Sequence, residues 1–212
     1  MGNLAPWRSP LARALHRNRS LIYARYLQLA TVRSDGTPAN RTVVFRGFGP
    51  DQGQDQDQGL GDRLRFVTDR RSEKIAQIAA NPAAEACWYF PKTREQFRLA
   101  GRLRAWQGGD LDAVSGDGTG GAKLRSRLWQ ALSAAAQLQF AWPSPGGDRQ
   151  DLDQNPDAFN PPPPDAIAPP DTFAVLELEP HRVDWLQLRG DPQDRICFWH
   201  DGDRWHQRNI NP

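Results

Sequence analysis

The run Asp69-Arg70-Arg71-Ser72-Glu73-Lys74 sets a short basic turn directly before a helix start. Backbone N–H groups in the first turn of a helix have no intrahelical acceptor, and the helix dipole adds partial positive charge there. With the Ser72 hydroxyl and the Lys74 ammonium beside them, these donors suit a phosphate. Arg41 adds a bidentate contact if its strand lies next to this turn. The bland alternative, a serine capping a surface helix with a solvated lysine, stays open on the turn alone. Gln96 and Arg195 are the other polar residues set beside apolar strand runs. An amide and a guanidinium at a barrel mouth match a heteroaromatic ligand with carbonyl and ring-nitrogen edges, although each taken singly also reads as an ordinary surface residue.

Other chemistries find little support. His16, His181, His200 and His206 lack metal-ligand spacing, and Asp110, Asp112 and Asp117 lack the distal glutamate of a calcium loop, so no metal is expected. No dinucleotide-binding glycine pattern, Walker loop or nucleophile elbow occurs. The 27 basic and 25 acidic side chains give a net charge of +2, too balanced for nucleic acid or an acidic membrane as the main partner. Arg8, Arg13, Arg17 and Arg19 are not followed by an apolar run, and no stretch reaches membrane-spanning length, so a cytoplasmic protein is expected. Cys87 and Cys197 lie in apolar strand-like runs and are expected as reduced buried thiols.

The elements that must position these residues follow from periodicity and turn chemistry. Ser9, as a cap, and Pro10, at the first helical position, predict a helix ending near Asn18. Period-two alternation predicts strands over 26–33 and 40–48, joined by the turn Ser34-Asp35-Gly36-Thr37-Pro38, and then a strand over 63–68. A helix from Ser72 stops at Asn81-Pro82, and strands over 84–90 and 96–106 follow. A helix is predicted over 123–137, and strands over 173–179, 183–188 and 195–200 close the chain, with a return through Trp205 after the Asp201-Gly202 turn. The stretches at about 49–62, 108–121 and 143–170 are too polar or too rich in Gly and Pro to order themselves and read as flexible loops. The expectation is one domain spanning 1–212, mainly β, as a closed or partly closed antiparallel barrel with a few short helices.

The ordered series Arg41-Thr42-Val43-Val44-Phe45-Arg46, Phe66-Val67-Thr68-Asp69, Ser72-Glu73-Lys74-Ile75-Ala76-Gln77-Ile78, Asn81-Pro82, Glu95-Gln96, Gly101-Arg102, Val183-Asp184-Trp185, Asp194-Arg195 and Asp201-Gly202, with Trp205 and Pro212, resembles the pyridoxamine 5′-phosphate oxidase-like flavoproteins, in particular their cyanobacterial-type FMN-binding branch. The resemblance implies a split β-barrel homodimer with FMN at the subunit interface and a small-molecule substrate. Arg41, Thr42, Val43, Val44, Phe45 and Arg46 would line the flavin, with Val67, Thr68, Ser72 and Lys74 around its phosphate. Gln96 would contact the ring, and Arg195 would approach it from the partner subunit.

Departures from the oxidase pattern lie where substrate is held. Glu73 replaces the first of two basic residues after the serine, Asp191 and Gln193 stand at an Arg-x-His pair, and Arg46 replaces a lysine. A Tyr/Arg/Ser trio has no clear counterpart, although Arg125 and Arg127 lie in the corresponding helix. The resemblance therefore implies an FMN oxidoreductase working by hydride transfer with an altered substrate site, or alternatively a non-catalytic FMN-binding carrier or sensor module. A third reading gives the site another phosphate-bearing or tetrapyrrole ligand.

Overall fold

A computed structural model describes residues 4–49, 61–107, 120–149 and 156–212. Helix α1 covers Arg8–Asn18. Strands β1 (Tyr26–Val32) and β2 (Pro38–Val44) form the expected hairpin. The chain then leaves β1 at Phe45, and a separate short strand β3 (Gly47–Gly49) pairs with β4 (Arg63–Asp69). The single strand expected over 40–48 is thus two, because Phe45 N–H donates to the Arg25 carbonyl while Arg46 N–H donates to that of Arg65. Helix α2 (Glu73–Ala80), β5 (Ala83–Phe90) and β6 (Glu95–Gln107) follow as predicted.

The helix expected over 123–137 is divided into α3 (Gly120–Gln130) and α4 (Ala134–Leu138), with the Ser133 hydroxyl capping the second. The strands expected over 173–179 and 183–188 are one, β7 (Phe173–Gln187), followed by β8 (Asp194–His200) and β9 (Trp205–Asn209). Pro180 does not break β7 because its partner strand shifts register between Ala100 and Gly101, bringing Gly101 opposite the proline. Only glycine fits there: a Cβ at 101 would collide with the Glu179 carbonyl.

Among the described residues, nine strands form one antiparallel sheet in the order β2-β1-β5-β6-β7-β4-β3, and β8 and β9 branch from the C-terminal half of β7. The first half of β7 pairs with β4 and the second with β8, so the sheet curls into a half-barrel, the split-barrel fold. Its concave face buries Leu27, Leu29, Trp88, Phe97, Leu99, Leu178 and Val183, capped by Trp7 and Leu11 of the α1 region. A second cluster packs Leu124, Leu128, Trp129 and Leu132 against Phe173 and Val175 on the other face. Ser9 lies inside α1, with no side-chain cap at its start; the Asp62 carboxylate instead accepts the Ala5 N–H at 2.8 Å.

The stretch over 156–170 runs along the surface as an excursion, mostly exposed, and its carbonyls accept hydrogen bonds from Trp129, Gln130 and Arg125 of α3 and Gln137 of α4, which tie it to those helices. The other expected loops fall largely on 50–60 and 108–119, outside the described residues. Both cysteines are free, Cys197 buried and Cys87 half-buried. No helix among the described residues is long and apolar enough to cross a membrane.

Candidate functional site

The turn between β4 and α2 is held by Asp69. Its carboxylate accepts the Arg71 N–H at 2.8 Å and grips the Arg71 guanidinium at 2.6 to 3.2 Å. The Asp69 carbonyl accepts both the Ser72 N–H, at 3.1 Å, and the Ser72 hydroxyl, at 2.7 Å. Ser72 therefore stands at the N-cap without capping α2 through its side chain, contrary to the capping alternative. Lys74 reaches back over the same turn, its Nζ donating to Thr68 Oγ1 and Ser72 Oγ at 2.8 Å each.

Arg41, on β2, reaches α2 through the side chains of Gln77 and Glu73. Its guanidinium donates to Thr31 Oγ1 at 2.5 Å, to the Ala39 carbonyl at 3.1 Å and to Gln77 Oε1 at 3.1 Å. Thr31 donates to the same Gln77 oxygen at 2.6 Å, which fixes the amide against α2. The carboxylate beside Arg41 is Glu73, 3.8 Å away on a side chain 70% exposed, so Glu73 lies at the rim. Burial depresses the Lys74 pKa and the nearby Arg41 charge adds to this, against opposing pulls from Asp69 and Glu73. Burial lowers that of Arg41 as well, with Glu73 opposing and Arg33 adding. Two neighbouring cations held mainly by neutral oxygens, with desolvation working against both charges, form a place where a bound anion lowers the free energy.

Thr68 joins this knot to a cleft of ≈ 500 Å³ whose floor includes Arg46 and Val67 and whose roof is built by Leu132, Phe140 and Trp142. Burial pushes the Arg46 pKa down and Arg25 adds repulsion, and Arg46 Nε is buried with no acceptor. A phosphate-bearing ligand fits these residues: the knot offers a lysine, an arginine and two hydroxyls, and the adjoining cleft holds an orphaned donor.

Strand alternation separates the remaining expected residues. Arg41 is registered with Leu29 on the concave face, while Thr42 pairs with Gln28 and Val44 with Tyr26 on the convex face. Val43 packs against the core, and Phe45 is buried within it, 5.0 Å from the Trp88 ring. Gln96 lies opposite Leu186, and Leu186 opposite Arg195, so the three form one row across β6, β7 and β8 on the convex face. Within this chain, Arg195 and Gln96 therefore stand on the opposite side of the sheet from Arg41. Arg195 is held by Asp184, which also takes Arg98 at 2.8 Å.

Sequence reasoning missed Thr31 and Gln77, which orient Arg41, and Asp69, which shapes the turn. The Gln77 signal was present in its spacing: it lies four residues after Glu73 and three after Lys74, on one helix face. It also missed the roof residues, whose neighbours 150–155 lie outside the described residues.

Comparison with known proteins shows the family of the chain. A family profile described as pyridoxamine 5′-phosphate oxidase, FMN-binding domain, matches residues 4–107. Pyridoxine/pyridoxamine 5′-phosphate oxidase 2 of Arabidopsis thaliana is 36% identical over 215 residues, covering 99% of this chain and 98% of the relative. The crystal structure of a pyridoxamine 5′-phosphate oxidase-related, FMN-binding protein from Nostoc punctiforme is 50% identical, with full coverage of both chains and a TM-score of 0.84. PhzG from Burkholderia lata, at 20% identity and a TM-score of 0.71 over 99% of this chain and 94% of that one, shares the fold.

Proposed function

The chain belongs to the pyridoxamine 5′-phosphate oxidase-like FMN-binding family, and from that premise we propose that it is an FMN-dependent oxidoreductase that works as a homodimer. The observation that carries the reading is the knot of Lys74, Thr68 and Ser72 beside Arg41, which meets the needs of a phosphate monoester and whose nearby carboxylates are Asp69, taken up by Arg71, and Glu73, at the rim. Arg41 and Lys74 would neutralise the phosphate, Thr68 would donate a hydroxyl hydrogen bond to it, Ser72 would turn its hydroxyl from the Asp69 carbonyl to the phosphate, and Asp69 would keep the turn in shape. Bound FMN supplies a two-electron redox centre that no side chain of the protein can supply.

The placement of Gln96 and Arg195 supports the dimer. Both stand on the convex face with Thr42, Val44 and the exposed rings of Tyr26 and Tyr89. A second copy docked on that face would bring its Arg195 to the other protomer's flavin, where a fixed guanidinium stabilises negative charge on a reduced ring. Leu186, between the two polar residues, would pack beside the ring rather than hydrogen-bond it.

The test is a visible absorption spectrum of the purified protein before and after adding FMN, with the molecular mass in solution measured on the same sample. Flavin absorbance at one FMN per chain, a dimer mass, and bleaching of the oxidised flavin band by an amine or alcohol substrate without oxygen, with the band restored when oxygen is admitted, are expected. A protein that neither carries nor takes up FMN sinks the reading; stoichiometric FMN with no turnover moves it to a carrier or sensor.

A further inference from the structure

The turn that shapes the phosphate knot is fastened to the roof segment over 139–149, and the fastening is Arg71. Its guanidinium donates to the Asp69 carboxylate at 2.6 to 3.2 Å, to the Trp142 carbonyl at 2.9 Å and to the Phe140 carbonyl at 3.4 Å. A guanidinium committed to a carboxylate and to backbone carbonyls of another segment acts as a strut, not as a solvated surface cation. A longer route runs beside it: the Arg70 N–H donates to the Thr172 carbonyl at 2.8 Å, and the Thr172 hydroxyl donates to the Phe140 carbonyl at 3.0 Å. The two ends of the roof are held unequally. The Phe140 ring is set in the second core, 5.5 Å from Trp129 and 5.2 Å from Phe173. Trp142 meets only the Phe159 ring, edge-on at 5.6 Å, and residues 143–149 beyond it are exposed. The bond from Arg71 to the Trp142 carbonyl therefore ties the loosely packed part of the roof to the turn.

The same turn answers to a phosphate. The Asp69 carbonyl accepts the Ser72 N–H at 3.1 Å and the Ser72 hydroxyl at 2.7 Å. A phosphate that takes the Ser72 hydroxyl draws it off that carbonyl, so the main chain from Asp69 to Ser72 resets around the remaining bond. Asp69 holds Ser72 through its main chain and Arg71 through its side chain. A change at the first is thus passed to the second, and from there to the Trp142 carbonyl.

We propose that Arg71 is a positioning residue through which occupancy of the phosphate knot sets the placement of the roof, so that the flavin and the 139–149 segment order one another. This coupling rests on the FMN reading of the knot and adds to it a side chain that need not touch the phosphate. It is reciprocal: if FMN steadies the roof by a given factor, a steadied roof tightens FMN by the same factor. A lysine in its place keeps the charge but not the planar fork that spans carboxylate and carbonyl together.

The experiment is amide hydrogen exchange of the full chain, read by mass spectrometry with and without saturating FMN. In the wild type, FMN should slow exchange about fivefold or more over 140–147 as well as over α2. In Arg71→Ala the slowing over α2 should remain, the slowing over 140–147 should fall below about twofold, and FMN should bind about fivefold more weakly. Arg71→Lys should fall between the two, and Thr172→Val, which cuts the longer route alone, should keep most of the roof response. A merely structural Arg71 would speed exchange over 140–147 equally with and without FMN, leaving the ratio as in the wild type. That outcome overturns the proposal, as does wild-type roof exchange that ignores FMN. Where near-ultraviolet circular dichroism shows that Arg71→Ala has lost its fold, the ratio in Arg71→Lys decides. A wild type that takes up no FMN fails the function reading and this coupling with it, whereas uptake without a roof response fails the coupling alone.

Discussion

The Asp184 carboxylate accepts two hydrogen bonds from the Arg195 guanidinium, 2.9 Å from Nε and 2.8 Å from Nη2. Burial alone would raise the Asp184 pKa, but hydrogen bonds from Arg195 and Arg98 and the charges of both arginines outweigh it and hold the carboxyl below its ordinary 3.8. A depressed carboxylate contributes stability that is fully present above the unfolded pKa and is lost as pH falls through the folded one. Asp184→Asn should therefore unfold at lower urea than the wild type at pH 7, and the gap should close as pH drops below about 4. A gap that persists unchanged to pH 2 would show that the pair is not the source.

The phosphate knot makes a sharper claim about ligand affinity. Arg41→Ala and Lys74→Ala each remove one charge-assisted contact, worth about 1.5–3 kcal/mol, so FMN dissociation constants should rise by roughly 10- to 150-fold. Because burial and Arg41 hold the Lys74 pKa below 10.5, wild-type affinity should weaken as pH rises toward that value, while Lys74→Ala should lose this alkaline limb. Isothermal titration across pH 7 to 10 checks both; unchanged affinity in both variants places the phosphate elsewhere.

Glu73 tests the same knot in the opposite direction. It stands 3.8 Å from Arg41 on a largely exposed side chain and competes with a phosphate for that guanidinium. Exposed pairs are worth about 0.2–1 kcal/mol, so Glu73→Gln should tighten FMN binding by at most about fivefold, and the gain should shrink in high salt. Weaker binding in this variant would mean that Glu73 helps to orient Arg41.

How far the site was legible before the structure depends on whether its cause was local. Lys74, Ser72 and the helix start were readable because a basic turn before an amphipathic helix is a local signal, and all three converge in space. The split of the strand at Phe45 was not, because it depends on Arg46 finding the Arg65 carbonyl across the sheet. Likewise, β7 runs through Pro180 only because its partner yields at Gly101, a compensation between residues about eighty positions apart. The alternation that sends Thr42 and Arg41 to opposite faces was legible in principle, since consecutive strand residues cannot line a single surface. Asp184 as the holder of Arg195 required the β7–β8 register, which periodicity does not supply.

The last prediction concerns the layer between the sheet and α3. Glu177 is 3% exposed, accepts from Arg65 Nε at 2.8 Å and from Trp106 Nε1 at 3.0 Å, and lies 3.6 Å from Arg63. Burial pushes the Arg65 pKa down while Glu177 pulls it up, so the carboxylate is what makes a buried guanidinium tolerable. Glu177→Gln keeps the shape and an acceptor for Trp106 but removes the charge that offsets the buried Arg65, while Arg63 keeps Glu179 at 3.0 Å. Breaking one partner of a buried ion pair costs about 3–5 kcal/mol, a large share of a small domain's stability. Chemical denaturation should show a loss of that order, whereas Glu73→Gln, at the surface, should shift the midpoint by less than about 0.5 kcal/mol. Equal midpoints for Glu177→Gln and the wild type would mean that the arginines find their compensation elsewhere.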